Sequence, residues 1–247
     1  MSPLVSWPIA RTTAFQRVRS APIAGIGCAC VLLALGGGAL QGGGEATSGL
    51  TWFWLHLFAA ALSAGLVSEE IESGHAQLVL LRPLTRAAWF GGRLSGALLL
   101  ALALVVLVDV AGAVGAQLGR GHAGALLLFS LPFAWVDLCA WLALLAALSV
   151  VVRGLRNVAA VLLFGLVWFA ARMIALQAAP QSQQVARVFD AIQPWLHPHD
   201  SRGIARALAD SRPPDWEPLL WNLLWIFAFW VVGVLLLNRT ELARRRT

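Results

Sequence analysis

Six stretches of the chain, 22–40, 50–68, 94–118, 124–152, 157–177 and 218–238, run through apolar residues with almost no charge. Each is close to the roughly 20 residues that an α-helix needs to cross the hydrocarbon of a bilayer. In lipid a segment must satisfy its own backbone polar groups, so successive apolar stretches of this length are left with the helix as their form. Composition removes the alternatives. The chain is 59% hydrophobic and 12% charged, where an ordinary soluble domain carries about 25% charge. It has too little polar surface to cover a soluble enzyme and too many apolar residues for a disordered chain. The sequence therefore predicts an all-α membrane protein, a single embedded domain over 1–247 with six transmembrane helices. An N-terminal segment (1–21), a loop before span six (178–217) and a basic tail (239–247) fall outside the spans. Pro132 predicts a kink or tilt in the long fourth span. The first span follows a long charged leader and precedes no small-x-small cleavage site, which favours a retained anchor over a signal peptide.

The formal net charge of +6 has to be tested against topology before nucleic acid is invoked. All 18 basic residues are arginine, which reads as base-composition bias. Six spans place both termini on one side. Arg11, Arg17, Arg19, Arg82, Arg86, Arg93, Arg153, Arg156, Arg239, Arg244, Arg245 and Arg246 give that side 12 of the 18. The other side has Arg120, Arg172 and four arginines of one long loop, where charge bias carries little weight. The positive-inside rule then puts both termini in the cytoplasm. No basic face interleaves with exposed aromatics, so nucleic acid is not an expected partner. Trp52, Trp54, Trp195, Trp216 and Trp221 fall near outer boundaries and Trp89 near an inner one, where such rings anchor in the headgroup layer. Cys28, Cys30 and Cys139, an odd count in apolar runs, read as buried free thiols. Ala59, Ala60, Ala61, Ser63, Ala64, Gly65, Gly112 and Gly115 are small enough for close helix packing.

The stretch 68–93 is the most informative. Span two ends in Glu69, Glu70 and Glu72, which must face water or a partner rather than lipid. Ser73 is placed to cap a short helix on which Leu78 and Leu81 share a face. Pro83 stops that helix. Thr85 is placed to cap the next one, which runs past Arg86 and Arg93 into span three. The spacing predicts a short amphipathic helix lying on the membrane surface between two spans.

In Glu70, Glu72, Ser73, Gly74, Leu78, Leu80, Leu81, Pro83, Thr85 and Arg86, this stretch resembles the loop of the class-two ABC exporter membrane subunits. That family shows Glu-x-Glu, Ser/Asp-Gly-Thr, a leucine-rich turn, Pro, and Ser/Thr-Arg before a long third helix. His75 replaces the usual Thr, and Ala76-Gln77 a Leu-Glu pair. More weakly, Leu196-His197-Pro198-His199-Asp200 is similar to the family's Leu-Asn-Pro-x-Asp turn outside the membrane before the last span. The resemblance implies a permease subunit of an ATP-driven exporter in a bacterial inner membrane, with a coupling helix between spans two and three. Glu69, Glu70, Glu72, Gly74, His75, Leu78, Leu81, Pro83 and Arg86 are then the expected contacts with a cytoplasmic ABC ATPase. A second permease, copy or paralogue, is implied as well. With no lysine the chain has no phosphate-binding loop. It is expected to catalyse nothing and to bind no cofactor itself, ATP and Mg being held by the partner ATPase.

The residues also carry a rival reading. Asp109 in span three and Asp137 in span four are the acids well inside spans, and His56 on span two is placed to pair with either. Intramembrane carboxylates point by default to a pathway or proton relay, here an ATP-independent proton-coupled transporter. A carboxylate hydrogen-bonded across helices, or near an outer vestibule, is the structural alternative. An intramembrane enzyme lacks a His-Glu-x-x-His or Gly-x-Ser-x-Gly signature. In the outer loop, Val185, Val188, Phe189, Ile192 and Leu196 recur at helical spacing, which predicts an amphipathic helix. A short helical turn follows at 201–208. His197 and His199 lack a third ligand and read as a solvated turn rather than a metal site. The terminal arginines serve topology and contact with anionic membrane lipid.

Overall fold

The computed structural model describes residues 5–41, 49–74, 84–120, 126–152 and 198–244, with single positions between 156 and 187. These residues form helices and turns: α1 (Trp7–Val18), α2 (Ala21–Gln41), α3 (Gly49–Ser63), α4 (Ser68–Glu72), α5 (Arg86–Arg120), α6 (Leu126–Leu148), α7 (Arg202–Ala209) and α8 (Glu217–Arg244). Four helical stretches among them are long and apolar enough to cross a membrane: Ala21–Leu40, Arg86–Gly119, Leu131–Leu148 and Glu217–Arg239. They correspond to predicted spans one, three, four and six. Of the predicted fifth span, Ala159, Ala160, Leu163 and Val167 are helical and exposed. The rest of it, the amphipathic helix expected around 185–196, and segment 75–83 lie outside the described residues.

Several boundaries differ from the sequence expectation for physical reasons. The segment 1–21 is not featureless, because α1 occupies most of it. Pro8 sits in its first turn, where a fixed φ suits helix entry. Its apolar residues lie on both faces, Ala10 inward and Trp7, Phe15 and Val18 outward, so no single stripe announces it. The second span was expected over 50–68, yet α3 stops at Ser63. Ser63 turns its hydroxyl back onto the carbonyls of Ala59 and Ala60. Gly65 then takes φ +63, a region glycine enters without steric cost. Gly65 thus lies in the turn over 64–67, which separates α3 from the acidic α4. Helix α6 continues through Pro132 and ends at Leu148, short of 152. Helix α8 runs on through Arg244, so the start of the expected tail is helical.

The 35-residue α5, about 52 Å long at 1.5 Å per residue, is the axis of the molecule. α1, α2, α6 and α8 all pack on it. The seam with α2 is the tightest, and glycine makes it so. A Cβ at Gly38 would land on the Gly112 carbonyl, and one at Gly115 or Gly119 on the carbonyls of Leu35 or Ala39. The backbones touch where other sequences would put side chains. Leu55, Leu62, Trp89, Phe90, Leu138, Leu142 and Leu237 fill the shared core. Trp89 is 1% exposed and so is a core residue, not a headgroup anchor, whereas Trp216 is 47% exposed. Cys30 and Cys139 are buried free thiols, but Cys28 is exposed. Leu32, Leu107, Leu220, Phe227 and Leu235 face outward, as expected of a multi-pass membrane protein whose solvent is lipid.

Hydrogen bonds fix which ends meet. The Ser6 amide donates to the Ala88 carbonyl, and Arg86 donates to Asn238 Oδ1 at 3.0 Å. The starts of α1 and α5 and the end of α8 therefore share one end of the bundle, with α4 beside them. At the opposite end α7 docks on α6, where Ile204 and Ala205 pack with Phe133.

Candidate functional site: the acidic turn and the intramembrane acids

α4 follows the Gly65 turn, and its acids separate by the partners they meet. The Glu69 side chain is 64% exposed and meets Arg17 at 3.4 Å. Arg17 also donates to the Ala64 carbonyl at 2.9 Å, clasping that turn. Burial pulls the Arg17 guanidinium below its ordinary pKa, and Glu69 opposes that shift. Glu70 points the other way: only 17% exposed, it pairs with the 10%-exposed Arg93 of α5. Arg93 donates again to Gln16 of α1 at 3.2 Å, and its guanidinium lies 6.0 Å from the Trp89 ring centroid. One arginine thus ties α4 and α1 to the axis helix. Glu72 is exposed.

The chain closes this end at Ser73, whose hydroxyl donates to the Glu70 carbonyl at 3.3 Å, and at Gly74, with φ +77. Ser73 thereby ends α4, with helical backbone angles; the helix it was expected to cap lies outside the described residues. On the far side of 75–83 the Thr85 hydroxyl accepts from the Ala88 amide at 3.1 Å, the N-cap bond expected of it. Arg86 is committed to Asn238. His75, Leu78, Leu81 and Pro83 lie outside the described residues.

The two intramembrane acids are not alike. Asp137 is wholly buried and held by three donors. Ser201 gives its amide at 2.9 Å and its hydroxyl at 2.5 Å, and Asn222 gives its amide nitrogen at 2.7 Å. Asn222 Oδ1 accepts from the His199 amide at 2.7 Å, while Nδ2 reaches the His199 carbonyl at 2.9 Å. The His199 ring stacks on Trp221, 6.1 Å between centroids. The turn before α7 is therefore bolted to α6 and α8 through one carboxylate. Asp109 is also buried, at 7% exposed, but its Oδ2 has no hydrogen-bond partner among the described residues. His56 stands edge-on to Trp141, with ring centroids 5.5 Å apart.

A family model described as an ABC-2 family transporter protein matches residues 9–242. The chain belongs to the ABC-2 transporter family. The match begins inside α1, ends inside α8, and takes in both ends of the bundle, so the ABC-2 assignment rests on nearly the whole chain and not on the acidic loop alone. The chain is accordingly a membrane subunit of an ABC transporter. No curated protein matches it.

Sequence reasoning overlooked Arg17, Gln16, Arg93, Ser201 and Asn222 as site residues. The signal for Asn222 was present as a lone amide near the start of span six. Arg17 and Arg93 were visible only as counts in a charge tally, which does not say which acid each one meets.

Proposed function

We propose that the chain is the permease subunit of an ATP-driven exporter, crossing a bacterial inner membrane six times with both termini in the cytoplasm. ATP and Mg belong to a separate cytoplasmic ABC ATPase, and a second permease, copy or paralogue, completes the pathway. The observation that carries this reading is the anchoring of segment 75–83 at both ends. It leaves α4, which Glu70 pins to Arg93 of α5, and it returns through Thr85 into the first turn of α5. A partner that pushes on this segment pushes the axis helix as a rigid body, the kind of movement that converts nucleotide-dependent docking into a change of state. Glu69, Glu72, Gly74, His75, Leu78, Leu81 and Pro83 form the docking face. Glu70 and Arg86 hold that face to α5 and α8.

The test is co-purification with an ATPase encoded beside the gene. Charge reversal at the exposed Glu69 and Glu72 is expected to lower ATPase recovery and ATP-dependent export while thermal stability stays unchanged. Undiminished recovery and export in that double variant would overturn the docking assignment.

A proton-coupled carrier retains one supporting observation, the Oδ2 of buried Asp109, which has no partner among the described residues. Asp137 is better read as a structural tie, since three donors occupy its carboxylate. Asp109→Asn separates the readings. An ABC exporter keeps ATP-driven export, whereas a proton-coupled carrier loses pH-driven uptake.

A further inference from the structure

The turn from α1 into α2 opens a groove of about 460 Å³ that neither polar end of the bundle uses. Ile23 and Val31 of α2, Phe58 of α3, and Leu100 and Leu104 of α5 form its walls, and the Cys28 thiol is the most polar group lining it. Along α2 the lining runs from Ile23 to Leu32, about 14 Å at 1.5 Å per residue. That is close to half of a hydrocarbon core about 30 Å thick, the depth of one leaflet. Cys28, Leu32, Ala103 and Leu107 on its rim are exposed among the described residues, so the groove opens sideways toward lipid.

The chemistry of one end is independent of this shape. Val18, the last residue of α1, lines the groove. The next residue, Arg19, is exposed and lies 4.1 Å from the Phe15 ring centroid. Trp7, Arg11, Phe15 and Val18 follow one another on an exposed stripe of α1, an apolar surface edged with cationic charge. No acidic residue occurs before Glu45. Arg17 of the same turn meets Glu69, and Arg19 follows Val18 at the end of the slot; an apolar slot one leaflet deep with an arginine at one end fits an amphiphile with a long chain and a negative head.

We infer that this groove holds one acyl chain of an anionic glycerophospholipid from the leaflet on the α1 side, with its phosphate at Arg19. The test uses the full chain in phosphatidylcholine vesicles doped with a phosphatidylglycerol that carries a photoreactive group at mid-chain. Crosslinks are expected at Cys28, Leu32 and Leu107, about fivefold above those from the same probe with a choline head. Arg19→Gln removes that preference and leaves the choline probe unchanged. Ala103→Trp, and independently Ala24→Trp, fill the slot from exposed positions and abolish labelling by both probes. Labelling spread evenly over α2, α5 and the outer face of α8 (Phe227, Leu235) would mean annular lipid only and overturn the site. Equal labelling by the two probes would overturn the headgroup assignment. A disulfide-linked dimer through Cys28 under mild oxidation would mean that a second copy covers the groove, and would overturn it as well.

Discussion

Asp137 and Asp109 show how little residue type says about role inside a membrane. Both are lone acids in apolar helices, yet one receives a hydroxyl, a backbone amide and a side-chain amide, while the other has an oxygen with no partner among the described residues. Removing an acceptor from buried donors costs about 1–3 kcal/mol per orphaned group. Asp137→Ala strands Ser201 and Asn222, so a loss of about 3 kcal/mol is expected, read as a lower melting temperature in detergent. Asn222→Ala should cost nearly as much, and the double variant less than the sum of the two, because both act on one network. Additive losses would sink the bolt. The Glu70–Arg93 pair makes a different prediction. Breaking one partner of a buried ion pair costs about 3 kcal/mol, so Glu70→Ala should destabilise strongly. Glu70→Leu with Arg93→Met should recover most of that stability but not ATP-coupled export. Full export in the apolar pair would remove Glu70 from the transmission path.

At the scale of elements, four of the apolar spans and the Thr85 cap were legible because they depend on local pattern alone. The break between α3 and α4 was not, because Gly65 looks the same in a packing run as in a turn; only its φ decides. Helix α1 was hidden by small residues facing inward and aromatics facing out, the inverse of an ordinary amphipathic stripe. The polar sites were half legible: the acids of α4 stood out, but their arginine partners are 52 and 23 residues away in sequence, and nothing local links them. The glycine seam between α2 and α5 gives the sharpest element-level prediction. Gly115→Leu drives a side chain into the Leu35 carbonyl and should abolish folded protein, or cost several kcal/mol where it survives. Gly36→Leu, on α2 with nothing within 4 Å of its added Cβ, should stay within about 0.5 kcal/mol. Expression and thermal melts of the two variants, side by side, are sufficient to check it.

For the whole molecule, hydrogen bonding gathers at one end of the bundle helix ends that the arginine tally assigns to one side. Arginines dominate the end where α1, α4, the start of α5 and the end of α8 meet, and α7 lies at the other. Labelling with a membrane-impermeant thiol reagent, in a background lacking the native cysteines, should reach Asp210→Cys in intact cells and Glu72→Cys only after permeabilisation. The reverse pattern would invert the topology and, with it, the side from which an ATPase docks. The glycine seam has one more consequence at this scale. Where the backbones of α2 and α5 lie against each other, at Gly38, Gly115 and Gly119, no side chain stands between them to reorient, so relative sliding would drive carbonyls into neighbouring backbone. Helices α2 and α5 must then travel as one blade, carrying the lipid groove with them. The surface that shears during a transport cycle has to be sought elsewhere, on the faces of α5 that meet the bulkier side chains of α6 and α8.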